Sequence, residues 1–532
     1  MPEKRSFWGW GLVSDEPTDE QRRETAARLS ARWGVEITAP PIPRAEDLAL
    51  RPPRTTVPDS LAAFCTTEAH DRAGHSYGKS YCDTVRAVRG DFPNPVDIVA
   101  YPRTEAELVA TLEWADAANV VAIPYGGGSS VVGGVEPPRD GRPAISIDLR
   151  DLNRVLEVDP VSRAARIQAG ALGPHLEDQL RPHGFTLRHF PQSFEWSTLG
   201  GWIATRSGGH YATNHTHIDD FVESTRMVTP KGIMESRRLP GSGAGPSPDR
   251  LVIGSEGSLG IITEAWMRIQ ARPKFRSSAG VTFDSWKGGY EAARAVVQSK
   301  LWPANCRLLD PAEAGAAAGL TGDQALLIIA FESAELPQEW PIRQAVKIAR
   351  EAGGRVDDAE IKISDGSDEE VGRQGAVGAW RNSFVRAPYG RNLTAGMGVV
   401  GDTFETSITW DRWPEFDMRV RAAMTDALQR VCGGGTLSCR FTHVYTDGPA
   451  PYYTFSGMGR PGAEIEMWTE LKKAASDAVI ANGGTITHHH AVGRDHMPWY
   501  RQQRPELFHT ALKAAKGALD PKGILNPGVL VE

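Results

Sequence analysis

Three glycine-rich segments follow one another between Pro124 and Ile262, and they limit what this chain can fold around. The first, Pro124-Tyr125-Gly126-Gly127-Gly128-Ser129-Ser130, comes directly after a short apolar run, Val120–Pro124, that reads as a strand. Three consecutive residues without Cβ atoms let several backbone N–H groups converge, a concavity suited to an anion such as phosphate. This segment fits neither the dinucleotide fingerprint nor the P-loop, whose lysine is missing. The second segment, Ser197–Gly209, interleaves four glycines with hydroxyl residues, and the third is Gly254-Ser255-Glu256-Gly257-Ser258-Leu259-Gly260-Ile261-Ile262. Together they can line one long, polar, phosphate-bearing ligand, and a dinucleotide has that shape.

A second constraint lies near the C-terminus, where His488-His489-His490 stand between Asn482-Gly483-Gly484 and Gly493. Turn residues on both sides predict a short strand over Thr485–His490. Alternation along a strand would put His488 and His490 on one face and His489 on the other, so at most two imidazoles would serve one site. The run is internal, unlike an expression tag. A second group, His210, His215 and His217, reads as a surface or cap-facing loop.

A chain of 532 residues exceeds what one hydrophobic core supports, so several domains are expected. A net charge of −7, with no Lys/Arg cluster, argues against nucleic acid as a partner. Five scattered cysteines (65, 82, 306, 432, 439) suggest neither a disulfide framework nor a zinc site, which fits a cytoplasmic protein. The longest apolar run, Ala325–Phe331, is too short to span a bilayer. Phe7-Trp8-Gly9-Trp10 is compatible either with peripheral membrane contact or with anchoring the N-terminus to the body. The pattern predicts helices over Asp19–Trp33, from a Thr104 cap to Ala118, and over Gly173–His183. Short strands are predicted at Ile98–Ala100, Ile145–Asp148, Val155–Asp159 and Ala165–Ala169. Beyond Pro273, strands (Ser278–Phe283, Ala325–Glu332, Val399–Thr409, Leu437–Thr446) alternate with helices (Tyr290–Ser299, Pro341–Ala352, Arg412–Arg430, Ala463–Ala481).

The order Pro-x-Gly-Gly-Gly-Ser, Ser-Thr-x-Gly-Gly, Gly-Ser-Glu-Gly-x-Leu-Gly-Ile-Ile-Thr resembles the FAD-binding domain of the vanillyl-alcohol oxidase (PCMH-type) superfamily. Asp520-Pro521-Lys522-Gly523-Ile524-Leu525-Asn526-Pro527-Gly528 is similar to its C-terminal signature. Within that superfamily, Phe194–Arg206, Arg307–Asp310, Phe404–Ser407, Cys439-Arg440 and Asn482–Gly493 resemble the alkyldihydroxyacetonephosphate synthase family, over a stretch from about Trp8 to the end. The resemblance implies an α+β fold: a PCMH-type FAD-binding domain of two α/β subdomains, an α+β cap domain and a C-terminal segment returning to the flavin. The boundaries are an N-terminal helical and extended region over 1–92, the FAD-binding domain over 93–273, the cap over 274–481 and the C-terminal segment over 482–532.

Carried over residue by residue, the resemblance assigns FAD contacts to Pro124, Tyr125, Gly126, Gly127, Gly128, Ser129, Ser130, Gln192, Ser193, Ser197, Thr198, Gly201, Thr205, Arg206, Ser207, Gly208, Glu256, Gly257, Gly260, Ile261 and Ile262. It gives the catalytic roles to Tyr452, His488, His489, His490 and Arg391, with His489 and His490 as the principal pair. Arg391 and Arg307 would bind substrate; Arg381 and Arg386 compete with Arg391 in the alignment. The loop Arg206–His210 follows the second glycine segment rather than the first, so FAD is expected to be noncovalent, and no metal is expected. The implied reaction exchanges the acyl group of acyl-dihydroxyacetone phosphate for a fatty alcohol through a flavin N5 adduct, in ether-lipid synthesis. Tyr452 would shuttle the C1 proton, its pKa lowered by a nearby Arg or imidazolium, and Arg391 would hold the phosphate. A lipid or other small-molecule substrate and a homodimer are compatible with the family.

Three other readings stay open at this point. A D-2-hydroxyacid dehydrogenase would align its metal motifs with His443–Gly448 and His489–Gly493, where the metal-ligand Glu is absent. An FAD-dependent oxidase of a secondary-metabolite alcohol, or a flavin-binding protein without catalysis, would keep the scaffold.

Overall fold

A computed structural model describes residues 4–211, 213, 215–366 and 386–532. Arg381 lies outside the described residues. The helix Glu105–Ala118 begins where expected, Thr104 accepting the Glu107 N–H at 3.2 Å. The Glu107 carboxylate reaches one residue further back than a capping box requires and takes the N–H of Arg103 at 2.7 Å. This helix connects two parallel strands, Ile98–Ala100 and Val121–Tyr125, which flank Ala144–Asp148 in a four-stranded sheet. The first glycine segment thus leaves the C-terminal end of a buried parallel strand, the usual position for a ligand in such sheets.

A second sheet is antiparallel, in the order Val155–Asp159, Ala164–Gln168, Ile261–Arg268, Val222–Thr229, Gly232–Glu235. One apolar core joins these two sheets, and it takes in Val492, Met497, Leu512, Ile524, Leu525, Val529, Leu530 and Val531 from the C-terminus. The C-terminal segment therefore returns to the glycine-segment half, as expected. Asp520 organises the turn there: its carboxylate accepts the N–H groups of Ile524 and Leu525 and the Lys516 ammonium.

The cap is a seven-stranded sheet ordered Lys362–Ile363, Phe275–Phe283, Ala325–Ser333, Asn305–Leu309, Thr436–Val444, Pro449–Met458, Val399–Glu405. The helices Trp286–Gln298, Glu339–Glu351, Trp413–Cys432 and Glu464–Ala481 bury their apolar stripes with it in a second core. Its strand Pro449–Met458 escapes a sequence reading because Pro449 and Pro451 argue against a central strand. Residues 4–92 feed several cores: Leu61 and Phe64 the first, Tyr81, Cys82 and Val85 the second, and Phe7 and Trp8 a small one with Tyr77, Phe92 and Ala395. Phe7, Trp8 and Trp10 are all buried, so this motif anchors the N-terminus instead of touching lipid. Among the described residues, no helix is long and apolar enough to cross a membrane.

The expected strand over Thr485–His490 does not form. The run is an irregular bend, because its successive N–H groups turn inward to a single carboxylate.

Candidate active site

The three glycine segments interlock around one elongated cavity of about 470 Å³. A Cβ on Gly127 would fall 1.6 Å from the Trp196 carbonyl oxygen, and one on Gly126 would fall 2.2 Å from Thr198 Oγ1. Gly257 holds φ +75° against Pro124. The glycines are therefore needed where the first segment meets the second and third, and they leave backbone and hydroxyl groups facing the cavity. Gly200 presses on Ala169 in the same way, at the start of a capped helix, Leu199–Thr205, that its glycines conceal in the sequence. Asn526 closes one end, donating to the Glu256 carbonyl at 2.8 Å and the Gly134 carbonyl at 3.1 Å. Glu256 is half-buried at the cavity wall, and desolvation there pushes its carboxyl up to about 7 despite N–H bonds from Val492 and Gly493.

Every residue expected at the cofactor borders this cavity, with one exception. Arg206 stands at the C-terminus of the Leu199–Thr205 helix with φ +53°, and its guanidinium turns away to Asp219 at 2.9 Å. Long, phosphate-compatible and lined by glycine backbone, the cavity fits a dinucleotide such as FAD.

The other wall comes from the cap sheet. Strand register places Arg440 beside Tyr452 and Tyr452 beside Glu405, so three strands present these side chains in one row. The alternate residues Phe404 and Tyr453 stack on the opposite face within the second core. A register shift between Phe441 and His443 lets Thr442 and His443 both face the cavity. The Tyr452 hydroxyl donates to Thr403 Oγ1 at 3.0 Å, and the Arg440 guanidinium lies 4.1 Å over its ring. Burial raises the Tyr452 pKa and Arg440 opposes it; the net direction is upward. The expected lowering is thus not present in the protein alone.

Arg391 borders the same cavity but is not Tyr452's neighbour. It donates to the Lys79 carbonyl at 2.8 Å and to Asp402 at 3.1 Å. Arg386 lies over Tyr389 and does not border the cavity. Arg307 is buried at the far wall, donating to the Thr442 carbonyl at 3.4 Å, and burial beside Arg440 lowers its pKa to about 9.

The histidines wrap around Glu405. Its buried carboxylate accepts N–H bonds from His488 (2.5 Å), His489 (3.2 Å) and His490 (3.0 Å), and the Thr487 hydroxyl at 2.5 Å. No alternating strand can aim three successive N–H groups at one acceptor, which is why the strand expectation fails. The rings fan out accordingly. His489 stacks 5.9 Å from Tyr452 and His490 meets it edge-on at 5.5 Å. His488 leaves the cavity and joins His217 and Tyr445 behind it. Burial lowers the pKa of all three imidazoles. Burial also raises the Glu405 carboxyl, but His490, His488 and these hydrogen bonds outweigh that effect and hold it ionised.

Ring nitrogens of His443, His488 and His489 lie within 4.8 Å of one another, close enough to share a cation. The protein already engages them: His443 with Gly209 and Thr442, His488 with Tyr445, His489 with His488. His490 stands outside this trio. Glu405 and Arg440 fall in stretches that carry the family resemblance but receive no role from the sequence, although polar–aromatic alternation (Thr403-Phe404-Glu405, Arg440-Phe441-Thr442, Tyr452-Tyr453-Thr454) carries the signal.

A glycine-walled cofactor cavity closed by an antiparallel cap defines the class of FAD-linked oxidase-fold flavoproteins. Residues 96–236 match an FAD binding domain, and 272–530 match the C-terminal domain of FAD linked oxidases. The chain is 30% identical over 481 residues to alkyldihydroxyacetonephosphate synthase of Trypanosoma brucei brucei, covering 87% of this chain and 78% of that one. It is 31% identical over 472 residues to the Dictyostelium discoideum synthase, covering 86% and 77%. A solved alkyldihydroxyacetonephosphate synthase structure superposes with a TM-score of 0.78 at 26% identity, over 94% of this chain and 91% of that one. The chain belongs to the alkyldihydroxyacetonephosphate synthase family, and its cofactor is FAD.

Proposed function

We propose that this protein exchanges the acyloxy group of an acyl-dihydroxyacetone phosphate for a fatty alcohol, forming an ether lipid precursor. The observation that carries the reading is the row Arg440–Tyr452–Glu405, with His489 and His490 folded over Tyr452 at the wall of the FAD cavity. FAD, when bound, supplies isoalloxazine chemistry at the substrate carbon. Tyr452, its phenol positioned by Thr403 and Arg440, takes and returns the C1 proton after a neutral imidazole of His489 or His490 has accepted its hydroxyl proton. His489 and His490, neutral at pH 7 because burial lowers their pKa values, accept the alcohol's proton and assist the leaving carboxylate. Arg391 binds the substrate phosphate, with Asp402 holding its guanidinium in place. The division at 92/93, 273/274 and 481/482 is proposed with it, as are a cytoplasmic setting and a homodimer.

The test is incubation with palmitoyl-dihydroxyacetone phosphate and hexadecanol, following ether product and flavin absorbance together. Ether formed without net flavin reduction is expected. Flavin bleaching by a D-2-hydroxyacid, with no ether product, would replace this reading by the dehydrogenase. Arg391→Lys should raise KM for the acyl substrate about tenfold with kcat little changed, since one ammonium cannot reproduce bidentate contact. Acid precipitation should leave all yellow colour in the supernatant, because FAD is held without a covalent bond; colour in the pellet would refute this.

A further inference from the structure

His217 belongs to the histidine group that reads from sequence as a surface or cap-facing loop, yet its Nε2 lies 3.1 Å from Nε2 of His488. His488 Nδ1 in turn lies 3.0 Å from Nδ1 of His489, which borders the cavity. At the outer end, His217 Nδ1 lies 3.1 Å from the Arg206 carbonyl oxygen, in a contact exposed to solvent. The other two histidines of the group go elsewhere: His210 contacts Asn305, and His215 packs on Phe221.

A carbonyl oxygen only accepts, and this assigns the protons along the whole series. His217 must carry its proton on Nδ1 to donate to Arg206, so its Nε2 is an acceptor. His488 then donates from Nε2, with the Tyr445 hydroxyl at 2.7 Å as a side acceptor that passes its own proton to Thr216 at 3.2 Å. His488 Nδ1 is left to accept from His489 Nδ1–H. Every imidazole therefore donates outward, away from the cavity.

We infer that His489, His488 and His217 form a proton conduit from the active site to solvent, with His217 as its outer relay. The inference rests on the synthase reading, whose stoichiometry requires an exit. The C1–acyloxy bond breaks and the electron pair leaves on a carboxylate; the alcohol oxygen bonds to C1 and sheds its proton. No oxidant or reductant is consumed, and one proton per turnover must leave a site closed by the cap. An imidazole accepts on one nitrogen while releasing from the other, so one proton passes along the series and leaves to solvent from the exposed His217 Nδ1–H; each ring is then in its opposite tautomer and returns to the first before the next turnover. Glu405, 3.6 Å from His489 Nδ1, steadies the positive charge as it enters. Asp219, Asp220 and Arg206 face His217, with His443 and His189 further off; burial lowers the His217 pKa, Arg206 adds to that, and the two carboxylates oppose it without reversing it, so the relay rests neutral and releases its proton readily. His217 acts through its neighbours and is a positioning and relay residue.

The test has two arms on the FAD-loaded protein. In ¹⁵N-histidine NMR, His488 should be protonated on Nε2 and His217 on Nδ1; the reverse order would overturn the conduit whether or not turnover is observed. In the kinetic arm, His217→Phe and His217→Gln should each lower kcat about tenfold with both KM values unchanged, and added imidazole should restore His217→Phe. The Gln variant keeps a polar side chain, so a folding defect confined to Phe is recognised. Wild-type kcat in both variants sinks the conduit and leaves the synthase reading intact, whereas a wild-type enzyme that makes no ether sinks that reading and leaves the NMR arm to judge the conduit. Zinc retained stoichiometrically after dialysis would consume the lone pairs of this series and also overturn it.

Discussion

Tyr452→Phe should lower kcat about a thousandfold while FAD stays bound, the scale expected on losing a positioned acid–base group. The substitution removes one hydroxyl whose protein partner is Thr403 at 3.0 Å. Loss of that neutral hydrogen bond costs about 1 kcal/mol. The phenyl ring stays packed beneath Arg440 and beside His489 and His490, so the cap strand keeps its register. The substitution leaves the glycine segments that line the cavity untouched, so flavin absorbance and its retention on gel filtration should match wild type. Burial raises the pKa of this hydroxyl and Arg440 restrains the rise, so replacing Arg440 with Leu should push the alkaline limb of the pH–rate profile further upward. Ether formation at the wild-type rate by Tyr452→Phe would transfer the acid–base role to His489 and His490.

The helices and strands of both halves were legible wherever a local pattern decides them: the Thr104 cap, the amphipathic Asp19–Trp33 helix, the apolar run Ala325–Phe331. The glycine segments told of a cofactor because their purpose is local too, the removal of Cβ atoms from a crowded turn. Three features escaped for one shared reason. The Glu405 carboxylate, the Arg440 ring contact and the His217–His488 pair each join residues far apart in sequence, and only strand register or chain crossing brings them together. Arg206 shows the same limit: it follows the Leu199–Thr205 helix in sequence, and only the structure reveals its left-handed backbone and the ion pair of its side chain with Asp219.

The largest structural effect is expected from Glu405→Gln. The carboxylate is 3% exposed and accepts three backbone N–H bonds and one hydroxyl, all from Thr487–His490. An amide of the same size offers one acceptor oxygen and turns an NH2 group toward N–H donors, so part of the network is left buried and unsatisfied. Breaking a buried charged network of this kind costs roughly 3–5 kcal/mol, and the loss should appear as a lower Tm. Activity should fall about a hundredfold as well, since His489 and His490 lose the geometry that sets them over Tyr452. The effect carries a pH signature. Hydrogen bonds and the neighbouring imidazoles overcome burial and hold the Glu405 pKa below its unfolded value near 4.3. Its contribution is therefore complete above that value and disappears as pH falls through the folded pKa. The Tm gap between wild type and Glu405→Gln should be constant from pH 7 to about pH 5 and should narrow below pH 4. Glu405→Asp should keep the pH signature with a smaller Tm loss, because it retains the charge and shortens the reach by one methylene. A Glu405→Gln protein with wild-type Tm and kcat would mean that something other than this carboxylate shapes the histidine turn, and the assignment of His489 and His490 to Tyr452 would lose its support.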